Sequence, residues 1–166
     1  MQRPLVGISM GDPLGIGPEV VVKALANASL RASARFVVYG DNELMLAAAE
    51  KARVHPTWFR VSIDHARDAS MVLGDFTVID YAIAGALGSE RAPSRAGGVS
   101  SKSFVEDAIQ DALRAPNDPR RIDALVTAPI SKESWVLAGF RWPGHTELLA
   151  ARTKSKRQAM AFVSPR

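Results

Sequence analysis

Apolar and polar positions alternate along this chain in two different rhythms. Leu5 to Ser9, Arg35 to Tyr39 and Ile122 to Thr127 are short, near-continuous apolar runs, the pattern of strands buried on both faces of a parallel sheet. Thr57 to Ile63 and Phe76 to Asp80 carry β-branched and aromatic residues and predict further short strands. A sixth apolar run, Gln158 to Val163, predicts one more. Between these runs the spacing becomes helical. Pro18 to Ala28 predicts a helix, as does Asn42 to about Arg53, with Asp41 as its N-cap. From about Val99 to Arg114, Phe104, Ala108 and Ala112, flanked by Val105, Ile109 and Leu113, form one stripe, which Pro116-Asn117-Asp118-Pro119 ends. Short helices are expected at Ser131 to Ala138 and Thr146 to Thr153, with loops at His65 to Asp75 and Ser89 to Gly98. Strand and helix in alternation imply an α/β protein with a parallel or mixed sheet covered on both faces.

Two turns in this pattern carry chemistry. After the first strand comes Gly11-Asp12-Pro13-Leu14-Gly15-Ile16-Gly17-Pro18-Glu19. Gly11, Gly15 and Gly17 let the backbone turn sharply and approach a ligand, and Pro18 and Glu19 suit the first turn of a helix. The spacing is neither that of a P-loop nor G-x-G-x-x-G. Asp12 stabilises the turn, or in principle touches a cation. The second turn follows Ile122–Thr127: Thr127-Ala128-Pro129-Ile130-Ser131-Lys132-Glu133, then Pro143-Gly144-His145-Thr146-Glu147. Both turns lie beyond the carboxyl end of a strand, where open α/β sheets bind ligands. Lys132 offers a cation for a phosphate or carboxylate, His145 an imidazole, and Thr146 a hydroxyl that also suits a helix cap.

Composition narrows the reading. The chain has 166 residues, 47% of them hydrophobic, enough for a core, and no cysteine, which excludes disulfides, cysteine-ligated metal and a thiol nucleophile. The formal charge of +4 is scattered apart from Lys154-Ser155-Lys156-Arg157, which argues against a nucleic-acid partner. No apolar run is long enough to span a membrane, and the opening residues lack a signal-peptide core, so a cytoplasmic protein is expected. His55 and His65 lie outside both motifs, and no metal-ligand spacing of His, Asp and Glu is present.

Taken together, Gly-Asp-Pro-Leu-Gly-Ile-Gly-Pro-Glu, Val-Thr-Ala-Pro-Ile-Ser-Lys-Glu and Pro-Gly-His-Thr-Glu resemble, in order and spacing, the 4-hydroxythreonine-4-phosphate dehydrogenase family over essentially the whole chain. Ser131 stands where asparagine is common. The resemblance implies a three-layer α/β/α fold like that of the isocitrate and isopropylmalate dehydrogenases, with residues 1–166 as the first lobe of a two-lobe enzyme. It implies NAD- or NADP-dependent oxidation, with decarboxylation, of 4-phosphooxy-L-threonine on the route to pyridoxal phosphate. His145 and Thr146 would then bind substrate, Lys132 would be catalytic, and Gly11, Asp12, Gly15 and Gly17 would form a ligand-facing turn. The resemblance also implies a homodimer when full length. A divalent metal such as Zn, Mg or Co is expected, with its ligands in a part beyond residue 166 and none in this chain. Two alternatives remain open. One is a sister dehydrogenase acting on a phosphorylated threonate or erythronate, or on a cis-dihydrodiol. The other is a truncated, non-catalytic product.

Overall fold

In the computed structural model, which describes residues 3–68, 74–85 and 90–164, five strands form one wholly parallel sheet. The elements in chain order are β1 (Leu5–Ser9), α1 (Gly17–Leu25), α2 (Ala28–Ser33), β2 (Arg35–Gly40), α3 (Asn42–Ala52), β3 (Phe59–Ser62), α4 (Ile63–Asp68), β4 (Phe76–Asp80), α5 (Arg95–Ala112), β5 (Ala124–Thr127), α6 (Lys132–Leu137) and α7 (His145–Arg152). The strand order is β3-β4-β2-β1-β5. Gly7 pairs with Val37 on one side and Leu125 on the other, so the loops after β1 and β5 leave the same edge of the sheet.

Alternation along β2 defines the two faces. Tyr39 points toward α5, where its hydroxyl donates to Asp111 Oδ2 at 2.8 Å, and burial pushes the Tyr39 phenol far above its usual pKa. Val38 points to the opposite face. Helix α5 packs on β1, β2 and β5 and carries α6 beside it, while α1 and α3 pack against one another in a separate layer. The main core joins β1, β2 and β4 to Val21, Val22 and Leu25 of α1 and to Met45, Ala48 and Ala49 of α3. A smaller cluster holds Val105, Ile109, Trp135 and Leu148 under α5, α6 and α7.

Several expected boundaries shift, each for a local reason. The helix predicted over Pro18 to Ala28 ends at Leu25, because the Asn27 side chain accepts the Leu30 N–H and starts α2. Residues 63–68, read as strand end and loop, form α4. Helix α5 starts at Arg95 rather than Val99, capped by Ser94, whose Oγ accepts the Gly97 N–H at 3.0 Å. Gly97 and Gly98 look like loop residues, but they sit in the helix at its tightest contact. A Cβ on Gly98 would lie 1.9 Å from the Ser134 carbonyl oxygen of α6. Residue 89, the first of the expected 89–98 loop, lies outside the described residues, as do 69–73 of the expected 65–75 loop.

Two larger expectations fail. Ile122–Thr127 reads as a central strand, yet β5 stands at the sheet edge and alternates exposed and half-buried positions. The strand predicted at Gln158–Val163 does not form: these residues follow α7 with no regular secondary structure, and Phe162 is 87% exposed. An apolar run becomes a strand only when another strand supplies its hydrogen bonds, and none of the described strands lies beside this one.

Candidate functional site

The chain runs in opposite directions from the middle of the sheet. After β1 it passes into α1; after β5 it passes into α6, which packs on α5 on the other side. Loops that diverge this way leave a crevice beyond the carboxyl ends of the two strands, the topological switch point of an open α/β sheet. A cleft of about 290 Å³ occupies that point, lined by Asp12, Leu14 and Gly15 from the first turn, Pro129 and Ser131 from the second, and Arg91 from the segment before α5.

The two turns are tied together through backbone and one buried carboxylate. The Asp12 N–H donates to the Pro129 carbonyl at 3.0 Å. Asp12 itself is buried. Its Oδ1 accepts the Leu14 N–H at 2.9 Å and its Oδ2 accepts the Ser134 hydroxyl at 2.7 Å. Ser134 Oγ in turn accepts the Ser94 N–H at 3.1 Å. One side chain therefore joins the glycine turn, α6 and the start of α5. Gly11, at φ +80°, would place a Cβ 2.2 Å from the Pro129 oxygen, and a Cβ on Gly17 would meet the Met10 oxygen at 2.0 Å. Both glycines pack closely against backbone, the Asp12 carboxylate is engaged by its partners, and Asp12 and Gly15 line the cleft.

Lys132, His145 and Thr146 do not line this cleft. Ser131 lines the cleft and caps α6, its Oγ accepting the Ser134 N–H at 3.0 Å. Lys132 follows as the first residue of α6 and is exposed. A Cβ built on Gly144 would lie 4.0 Å from Lys132 Cε, so the Gly-His-Thr-Glu element and the lysine are neighbours in space. His145 begins α7 and meets the Trp135 ring edge-on at 5.4 Å between centroids. Trp135 is held by its indole N–H, which donates to Ser101 Oγ at 3.0 Å. Burial lowers the His145 pKa, favouring the neutral imidazole, and its Nε2 is buried with no hydrogen-bond partner among the described residues. Thr146 is exposed, and no side-chain hydrogen bond caps the helix there.

Arg91 is the residue the sequence did not announce. It sits in a polar stretch rich in small residues, with no motif around it, and only the folding of that stretch over the switch point brings it to the cleft. Among the described residues, no three His, Cys, Asp or Glu side chains stand close enough to hold a metal ion. No helix among them is long and apolar enough to cross a membrane.

The family model described as pyridoxal phosphate biosynthetic protein PdxA matches residues 32–166. The chain belongs to the PdxA family. It is 34% identical over 167 residues to the 4-hydroxythreonine-4-phosphate dehydrogenase of Synechococcus sp. (strain JA-3-3Ab), an alignment covering 97% of this chain and 42% of that protein. It is 35% identical over 167 residues to the D-threonate 4-phosphate dehydrogenase of Cupriavidus necator, covering 98% and 47%. The X-ray structure of a 4-hydroxythreonine-4-phosphate dehydrogenase from Burkholderia phymatum superposes with a TM-score of 0.79 at 32% identity, covering 95% of this chain and 46% of that one. The chain thus spans somewhat less than half the length of these PdxA relatives, and the three-layer α/β architecture is shared with them.

Proposed function

We propose that this chain forms the substrate-side wall of a PdxA-type dehydrogenase that oxidises a hydroxyl on a small phosphorylated acid, with 4-phosphooxy-L-threonine as the substrate. One observation carries the reading: the buried His145 Nε2 has no partner among the described residues, and the preceding Gly144 stands close to Lys132, which follows the cleft-lining Ser131. Buried polar atoms are nearly always hydrogen-bonded, so an orphaned nitrogen at such a place fits a ligand or a water it binds. Lys132 and Arg91 supply cations for the phosphate and carboxylate of the substrate, and the Thr146 hydroxyl supplies a hydrogen bond. In its neutral form, His145 can accept or donate a proton at the hydroxyl to be oxidised.

When bound, a nicotinamide cofactor, NAD or NADP, supplies the hydride acceptor in this reading. The cleft lies at the lower end of the range for small-molecule sites, enough for a phosphorylated acid but not for a dinucleotide as well. A divalent metal is also expected of the family, and no three His, Cys, Asp or Glu side chains among the described residues are grouped to hold one. A second substrate, D-threonate 4-phosphate, is favoured by a relative of that activity matching as closely as the first.

The test is a polypeptide in which this chain is continued by the remaining half of the fold. It should form NADH from 4-phosphooxy-L-threonine, and His145→Ala should lower kcat/KM by about tenfold to a thousandfold, the range for a positioned polar or acid–base group. Faster turnover of D-threonate 4-phosphate would install the second substrate. An unchanged kcat/KM in His145→Ala would remove the histidine from the site.

A further inference from the structure

A second cavity, of about 390 Å³, lies at the opposite edge of the sheet, at the amino ends of β1 and β2 and just before β5. Its walls come from three separated stretches: Arg3 to Leu5, Arg35, and the turn from Pro116 to Asp123. Pro4, Pro116 and Pro119 stiffen those walls by fixing their backbone φ angles. Asn117 adds an amide to the lining, and Arg3, Arg35 and Arg121 bring three guanidinium groups against the carboxylates of Asp118 and Asp123.

The charges do not cancel pairwise. Asp118 is fully engaged: Oδ1 accepts the Arg120 N–H at 2.8 Å and Oδ2 accepts Arg114 Nη1 at 3.0 Å, contacts that hold its pKa below the usual carboxylate value. Asp123 uses Oδ2 to accept the Leu5 N–H at 2.8 Å. Arg3 pairs with Asp75 and donates to the Arg31 carbonyl at 3.1 Å, and Arg35 Nε reaches the Gly74 carbonyl at 3.4 Å. Arg121 is different. Its Nε is buried, yet it has no hydrogen-bond partner among the described residues. A buried donor without an acceptor is uncommon in a native protein, and the usual explanation is an ordered water or ion that completes it.

We propose that this cavity binds a compact oxyanion, a phosphoryl or carboxylate head group, with Arg121 as the principal contact and Arg3 and Arg35 framing it. The guanidinium fork matches both head groups in geometry. Arg3 is already paired with Asp75 and Asp118 with Arg114, and the buried Nε of Arg121 is the donor without a partner among the described residues. That suits a single small anion, whereas a polyanion such as nucleic acid would meet Asp123 at the rim. The site is separate from the switch-point cleft and does not depend on the dehydrogenase reading.

The experiment uses the 166-residue chain, ¹⁵N-labelled, titrated with inorganic phosphate or acetate against sodium chloride at matched ionic strength. Saturable shifts are expected at the Arg121 Nε–H and at the Leu5 and Asp123 amides, and the tighter of the two ions identifies the head group. Arg121→Ala should weaken that binding about tenfold or more, as expected for losing a charge-assisted hydrogen bond. Asp123→Asn keeps an acceptor for Leu5 and removes the opposing charge, so it should tighten binding severalfold even if Arg121→Ala fails to fold. Arg91→Ala should leave these shifts unchanged. Non-saturating shifts equal to those with chloride, shifts confined to Ser131 and Lys132, or no tightening in Asp123→Asn would overturn the proposal.

Discussion

Strands β2 and β5 are similar in sequence and opposite in circumstance. Both are short apolar runs of β-branched and aromatic or leucine residues. β2 has β1 and β4 as neighbours and is buried at every position from Phe36 to Gly40. β5 has β1 alone, and its Ala124 and Val126 face outward, Val126 being 50% exposed. The helical layers follow the same division: α5 reaches β5, but α1 and α3 are gathered over the other strands. Burial is therefore assigned by neighbours rather than by composition, and the cleft lies at the seam between the finished and the open part of the sheet.

The largest expected effect bears on the open side. The 166-residue chain alone, given NAD, a divalent metal and 4-phosphooxy-L-threonine, should produce no NADH above a metal-free blank. Positioning of reactants can supply on the order of 7–11 kcal/mol of a barrier, and a cleft with one wall open to water forgoes most of it. Robust turnover would show that the open side already holds a complete site.

Next in size is the contrast in stability. Phe36→Ala in β2 should cost about 3–5 kcal/mol in urea unfolding, through lost burial and the cavity left behind. Val126→Ala in β5 should fall within about 0.5 kcal/mol, as for a surface change. Equal losses would erase the distinction between the strands. A medium effect should come from the seam itself. Ser134→Ala strands the buried Asp12 Oδ2 and the Ser94 N–H, for about 1–3 kcal/mol. Amide shifts in that variant should run through Leu14, Ser94 and Lys132 while β2 stays silent.

The smallest effect belongs to the covered layer. Glu19 on α1 pairs with Lys23 and with Lys51 of α3, and their hydrogen bonds and charges lower its pKa to about 2. A carboxylate with a depressed folded-state pKa contributes stability above its unfolded value, near 4.5, and loses it as pH falls toward 2. The melting-temperature difference between the native chain and Glu19→Gln should thus be visible at pH 6 and fade between pH 4.5 and 2. A difference unaffected by acid would detach the ion pair from the packing of α1 on α3.

What was legible in the sequence was whatever local chemistry decides. The β1 turn, the Asp41 cap, the Phe104–Ala108 stripe and the two motifs beyond β1 and β5 are each specified within a few residues, and each stands where expected. What was illegible depends on residues far away. The break at Asn27 needs a side chain to compete with the helix for the Leu30 N–H. The burial of Asp12 needs Ser134, and the place of Arg91 needs the fold of its whole segment. Residues 158–163 have strand-like composition but no partner strand, and composition alone cannot supply one.

The clasp between Leu5 and Asp123 joins residues 118 positions apart, and with it β1 meets β5. During synthesis β1 emerges first and can pair early with β2, but its other edge must wait until residues 124–127 have left the ribosome. For most of that interval the middle of the future sheet is an exposed template of unpaired N–H and C=O groups. A long chain closure of this kind makes folding slow relative to helical domains of equal size. The strand that organises the cleft is thus also the one that most needs protection before the chain is complete.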